Sequence, residues 1–236
     1  MAKEGEKPLT PGAAERGKFI TLEGGEGGGK TTQLTGLAEY LRTFGLKVLT
    51  TREPGGTRIS DQVRRVILDV GNTELVPEAE TLLFQAARAQ LVRELLNPVL
   101  ADGVWIVGDR FADSTLAYQG YGHGKDLKTL MLLVEYATGG LKPDLTLLLD
   151  VDLDKGLKRK KLQNEWNRLD GAALEFHARV KAGYTEMAAR EPQRWRVIDA
   201  NQSPETVQAQ IQETVTSFFG LRAVGTLGLP QINRWD

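Results

Sequence analysis

The chain contains no cysteine. Disulfides, thiolate metal sites and cysteine nucleophiles are therefore excluded together, and the composition suits a reducing compartment. Histidine is nearly as scarce. His123 and His177 stand far apart in the chain, which makes a histidine-based metal cluster an unpromising reading. No apolar run approaches the ~18 residues of a membrane-crossing helix. The opening MAKEGEKPLTPGAAERGK lacks the apolar stretch of a secretory signal. Formal net charge is −1 over 236 residues, so no overall basic field points to nucleic acid or to an anionic membrane. The expectation is a cytoplasmic protein that engages neither. Hydrophobic content of 41% and charged content of 26% are ordinary for a globular chain able to bury a sizeable core.

Order is expected from Lys18, after a disordered leader over 1–17. Phe19–Leu22 is a short apolar run stopped by glycines, which reads as a buried strand. Leu34, Leu37, Ala38 and Leu41 then recur at helical spacing up to Gly45. A second strand over 47–52 is cut off by Pro54-Gly55-Gly56. A helix carrying Ile59, Val63, Val66 and Ile67 on one side should run to Gly71. Pro77 sits at a first-turn position for a long helix through Leu82, Leu83, Phe84, Leu91 and Leu95. Val104–Gly108, Leu145–Val151 and Arg196–Asp199 supply three more strands. The segments between strands are long enough for helical crossovers, so the pattern predicts an α/β three-layer domain. Its five-stranded parallel sheet should have helices on both faces. Periodicity is lost after Phe219, and 220–236 reads as a surface tail. One stretch, KGLKRKKLQNEWNR over 155–168, is strongly basic inside a neutral chain.

Gly24-Gly25-Glu26-Gly27-Gly28-Gly29-Lys30-Thr31 fits G-x-x-x-x-G-K-[ST], the phosphate-binding P-loop, and lies between a strand and a helix as that motif requires. Its glycines permit positive φ and let successive N–H groups surround an anion. The following helix adds its positive end. Lys30 would bridge the β- and γ-phosphates, and the Thr31 hydroxyl would hold Mg²⁺. Gly24–Thr32 is thus the expected ATP site. The loop alone leaves a GTPase switch, a motor or transporter subunit, and a small-molecule kinase open. The N-K-x-D, D-x-x-G and L-S-G-G-Q signatures of the first two do not occur.

Further residues decide among these. Glu23-Gly24 and Glu26 in the loop, Thr51-Arg52-Glu53-Pro54-Gly55-Gly56-Thr57, Phe84-Gln85-Ala86-Ala87-Arg88, and Asp109-Arg110 through Gly120 together resemble the thymidylate kinase family. The resemblance covers about residues 18–219. It implies a nucleoside monophosphate kinase-like P-loop fold with a lid, in which ATP and dTMP give ADP and dTDP with Mg²⁺, usually in a homodimer. It assigns Phe84 to stacking on thymine, Arg88 to its O4, and Arg52 and Arg110 to the acceptor phosphate. Ser114, Thr115, Tyr118 and Gln119 would line the acceptor pocket, with Tyr118 crowding the sugar C2′. Asp109 joins Thr31 near Mg²⁺, Glu26 meets the sugar 3′-hydroxyl, and Glu23 supports the loop. From the residues alone, a core ring beside a solvated cation is the usual meaning of a pair such as Phe84 and Arg88. A related kinase for dUMP or dCMP, or a nucleotide switch, also remains open.

The acceptor that the resemblance implies is a phosphate monoester with a second pKa near ~6, so no catalytic base would be needed. Catalysis is charge neutralisation and in-line positioning by Lys30, Mg²⁺ and arginines. The loop itself offers no other cation. The resemblance therefore gives the basic segment the role of a lid over about 154–170, with Arg168-Leu169-Asp170 at its exit. Relatives of this type often carry an arginine pair where this chain has Lys161 and Gln163. Arg159 or Lys161 is the expected catalytic lid cation, with Arg168 as a further candidate.

Overall fold

A computed structural model describes residues 15–162 and 173–222. Five strands, β1 (Phe19–Glu23), β2 (Val48–Arg52), β3 (Trp105–Asp109), β4 (Leu145–Asp150) and β5 (Trp195–Asp199), form one sheet in the order β2-β3-β1-β4-β5. Every pairing is parallel. Every residue of β1 is buried, as expected of a central strand covered on both faces. Alternation along the strands divides the core. Ile20, Leu22, Val107 and Leu147 face α1 (Lys30–Arg42) and α9 (Pro204–Phe219), where Leu37, Leu41, Ile211 and Val215 meet them. Phe19 and Ile106 face the opposite layer, packing on Leu91, Leu96 and Phe111.

That layer begins with α2 (Arg58–Leu68) and α3 (Pro77–Leu91). Thr57 caps α2 by accepting from the Ser60 amide, and Ser60 Oγ donates to the Ala87 carbonyl, tying α2 to α3. Pro77 starts α3 as expected, but the helix does not run on unbroken. It passes through a π-helical turn, Val92–Leu96, into the short α4 (Asn97–Ala101). α2 ends at Leu68 instead of Gly71, and its expected apolar face is only partly inward. Ile67 is fully buried, whereas Ile59 and Val66 are 40% and 45% exposed.

After β3 the chain forms α5 (Ala112–Thr115), a π-helical segment Leu116–Gly122, and α6 (Leu127–Thr138). After β4 come α7 (Leu153–Leu162) and α8 (Leu174–Arg190), the latter packing Phe176, Val180 and Tyr184 on Tyr118 and Leu148. The leader was expected to span 1–17, yet Arg16 pairs with Asp144 at 3.1 Å and the Gly17 amide donates to the Leu100 carbonyl. At the other end, Leu221 packs on the core. Gln163 and the expected lid exit, Arg168 to Asp170, lie outside the described residues. Among the described residues no helix is long and apolar enough to cross a membrane.

Candidate active site

Parallel strands in an open sheet place ligands at their C-terminal ends. β1, β2 and β3 all end there in charged residues, Glu23, Arg52 and Asp109. They open onto a cleft of about 1040 Å³, larger than a pocket for one small molecule needs.

One wall is the loop from β1 to α1. Gly24, Gly27 and Gly29 adopt positive φ of 133°, 66° and 82°, which a residue with a Cβ adopts only with strain. At Gly27 a Cβ would also lie 1.9 Å from the Gly156 carbonyl oxygen, and at Gly156 one would lie 2.4 Å from that of Glu26. Two glycines therefore let the loop and α7 touch backbone to backbone. Lys30 is buried and donates to the Gly24 and Gly25 carbonyls at 3.2 and 2.8 Å. Burial, reinforced by nearby Arg110, lowers its pKa to about 8 against the pull of Glu26, Asp109 and Glu23. Thr31 Oγ1 donates to Asp109 Oδ2 at 3.0 Å, so the two expected metal residues meet. Glu26 through Thr32 line the cleft, while Gly24 and Gly25 stand behind it and hold Lys30.

The opposite wall is centred on Arg110, a non-glycine residue at φ 68°. Its amide donates to the Leu22 carbonyl at 3.0 Å. Its Nη2 donates to Glu26 Oε1 (2.8 Å) and the Tyr118 hydroxyl (2.9 Å), and its Nη1 to the Gly24 carbonyl (3.0 Å). The guanidinium also lies 4.9 Å from the Tyr118 ring centre, within cation–π range. Tyr118 in turn donates to Glu26 Oε1 at 2.7 Å. Burial alone would raise the Glu26 pKa, but Arg110, Lys30 and the Tyr118 hydroxyl outweigh it and hold it at about 2. Glu26 thus faces away from the loop's phosphate cradle, across to the other wall.

Glu23 does something different from bracing its own loop. Fully buried, it accepts from the Phe111 amide (2.7 Å), Ser114 Oγ (2.7 Å) and the Tyr184 hydroxyl (2.8 Å). It therefore fixes the turn that carries Arg110. Burial, with nearby Asp113, pushes its pKa up to about 7 against Arg110 and its hydrogen-bond donors.

At the far end, Phe84 lines the cleft beside Arg88. Arg88 is 1% exposed and uses all five N–H donors within the protein. Nε and Nη2 donate to Glu53 Oε2, Nη1 to Gln85 Oε1 and Thr115 Oγ1, and Nη2 also to the Phe111 carbonyl. A base carbonyl would have to share one of those bonds. Thr115 and Gln119 complete this end, and Ser114 sits nearer Arg110.

Arg52 is exposed in the cleft, 3.7 Å from Asp61. Arg64, absent from the expectations, lines the cleft with it. Burial, then Arg52, lowers its pKa, with Asp109 and Asp61 opposing. The basic segment brings in a different cation from the two expected. Arg159 donates to the Ala200 carbonyl at 3.0 Å and Lys161 is exposed; neither lines the cleft. Lys160 does, close enough to contribute to the low pKa of Glu26.

Comparison with known proteins identifies the family. The family model described as thymidylate kinase matches residues 22–211. The chain is 50% identical over 213 residues to the thymidylate kinase of Roseiflexus sp., covering 85% of this chain and 94% of that protein. It is 48% identical over 201 residues to that of Deinococcus radiodurans, covering 85% and 97%. The crystal structure of thymidylate kinase from Ehrlichia chaffeensis superposes with a TM-score of 0.70 at 33% identity, covering 85% of this chain and 99% of that one. A P-loop facing an arginine-lined second wall, in a chain whose residues 22–211 match the family model and which is 50% identical to a relative over most of both chains, makes this protein a member of the thymidylate kinase family.

Proposed function

We propose that the chain transfers the γ-phosphoryl group of ATP to dTMP, giving ADP and dTDP. The observation that carries this reading is one continuous cleft lined both by the phosphate-binding loop and by Arg52, Arg64, Arg110 and Phe84. Gly24 through Thr32 bind the ATP phosphates. Arg52, Arg64 and Arg110 receive the dTMP phosphate, and Phe84, Arg88, Ser114, Thr115, Tyr118 and Gln119 receive the nucleoside. Tyr118 crowds C2′, and Glu26 accepts from the 3′-hydroxyl while holding Arg110 in place.

No residue need remove a proton, because the acceptor oxygen is already ionised. Lys30, still mostly protonated at neutral pH, leaves the Gly24 and Gly25 carbonyls for the phosphates, whose negative charge favours its ammonium form further. Thr31 and Asp109 suit Mg²⁺, which takes few protein oxygens and draws the rest of its shell from water and phosphates. Bound there, it would neutralise charge on the transferring group. Lys160, on α7, supplies the lid cation in place of Arg159 or Lys161.

The kinase domain takes in at least residues 16–221, with a lid over about 154–170. The chain works as a cytoplasmic homodimer that binds no nucleic acid. Support for the dimer comes from Val66 on α2, Leu82 on α3, and Leu132 and Tyr136 on α6, which are 45%, 56%, 66% and 83% exposed. α3 packs against both α2 and α6, so these exposed apolar side chains lie on three helices of one layer, and contiguous apolar exposure marks interfaces.

The test is ADP production from ATP and Mg²⁺ with dTMP, dUMP, dCMP, dGMP or no acceptor. Turnover that depends on dTMP is expected, and Lys30→Ala should abolish it in a folded protein. ADP release indifferent to the acceptor would defeat the reading.

A further inference from the structure

We propose that Glu80, which touches no substrate, fixes the orientation of the Gln119 amide and thereby makes the acceptor pocket select a keto pyrimidine over cytosine. The inference rests on the dTMP reading above and deepens it.

Gln119 lies in the π-helical segment after β3 and is 2% exposed; Glu80, in the first turn of α3, is 1% exposed. Gln119 Nε2 donates to Glu80 Oε1 at 2.8 Å. A carboxylate only accepts, so the nitrogen end of the amide is committed to Glu80. Turning the amide over would set its oxygen against the carboxylate oxygen inside a buried site. Gln119 lines the cleft, and its Oε1 is not among the sealed, unpartnered atoms of the described residues. The pocket therefore meets Gln119 as a hydrogen-bond acceptor.

Its neighbour Thr115 is fixed in the opposite sense. Thr115 Oγ1 accepts from Arg88 Nη1 at 2.8 Å and from Gln85 Nε2 at 3.1 Å. Both lone pairs are then occupied, and only its O–H proton remains to offer. The wall thus presents one donor and one acceptor. Thymine and uracil present O4 as an acceptor beside N3–H as a donor. Cytosine presents the reverse, an N4 amine beside an unprotonated N3. Against this wall cytosine would set a lone pair on Gln119 Oε1 and an amine on the Thr115 donor. A buried polar site discriminates most strongly when the wrong partner leaves its groups unpaired.

Glu80→Gln tests the orienting role, because an amide at position 80 can accept or donate and so releases Gln119 to turn. With ATP and Mg²⁺, kcat/KM is measured for dTMP and for dCMP. The variant should lower the dTMP-to-dCMP ratio by about tenfold or more, with KM for dTMP rising more than kcat falls. A merely structural defect would lower both substrates together and leave the ratio unchanged. Gln119→Leu should lower the ratio as well, and adding Glu80→Gln to it should change the ratio no further. A folded Glu80→Gln enzyme with the wild-type ratio overturns the proposal. So does a Gln119→Leu enzyme with that ratio, which decides the matter even if the Glu80 variant fails to fold. Absence of dTMP turnover in the wild-type enzyme would instead defeat the reading beneath both.

Discussion

Replacing Glu26 by glutamine removes one charge while preserving shape. The carboxyl lies between the Arg110 guanidinium and the Tyr118 hydroxyl, at 2.8 and 2.7 Å, and its pKa is held at about 2 instead of 4.5. That difference corresponds to ~3 kcal/mol of preference for the charged form in the folded state. Because the folded pKa lies below the unfolded one, the stabilisation is complete above pH 4.5 and disappears as pH falls through 2. Glu26→Gln should therefore melt lower than wild type at pH 7, by roughly 6–12 °C for a domain of this size. The gap should narrow steadily as pH falls from about 4.5 toward 2. Glu23, whose raised pKa acts in the opposite sense, is present in both proteins and cancels in the difference. Paired thermal melts across that range supply the measurement. A gap independent of pH, or none at neutrality, would refute the electrostatic account of Glu26.

On α7, Lys160→Ala should lower kcat by ~10²-fold or more, while Arg159→Ala and Lys161→Ala cost less; single-turnover kinetics of the three variants checks the order. Glu53→Ala would leave the buried Arg88 guanidinium without its counter-charge. It should cost ~3–5 kcal/mol in urea unfolding, much more than loss of an exposed ion pair. Gly156→Ala forces a Cβ to within 2.4 Å of the Glu26 carbonyl oxygen and must move α7 from the loop. Turnover should fall about tenfold or more, while the melting temperature, aided by better helix propensity, changes little.

What could be read without coordinates was whatever the chain carries locally. Apolar runs ending in charged residues mark the strands, and the spacing of Gly24 to Thr31 marks the loop. Pro77 marks a helix start. Which cation of the basic segment lines the cleft was not legible, because Arg159, Lys160 and Lys161 lie ~100° apart around one helix. Their phase is set by Gly156 against the Glu26 carbonyl and by Arg159 on the Ala200 carbonyl. Arg88 shows the same limit. Its spacing from Phe84 was visible, but its attachment to Glu53, 35 positions away, was not. Glu23 finds Tyr184 across 161 positions, so nothing nearby in the chain signalled that it serves the Arg110 turn. The outward apolar residues of α2 follow helical spacing, and periodicity alone does not separate a core face from one that meets another surface.

The central claim is that the cleft passes a phosphoryl group between two bound nucleotides instead of to water. The most direct measurement follows the label from ATP carrying ³²P in its γ-phosphate, with Mg²⁺ and dTMP, resolving dTDP, ATP and inorganic phosphate over time. Label should appear in dTDP in step with ADP, with little inorganic phosphate, and removal of dTMP should stop ADP formation. Label released mainly as inorganic phosphate, whether or not dTMP is present, would contradict the account.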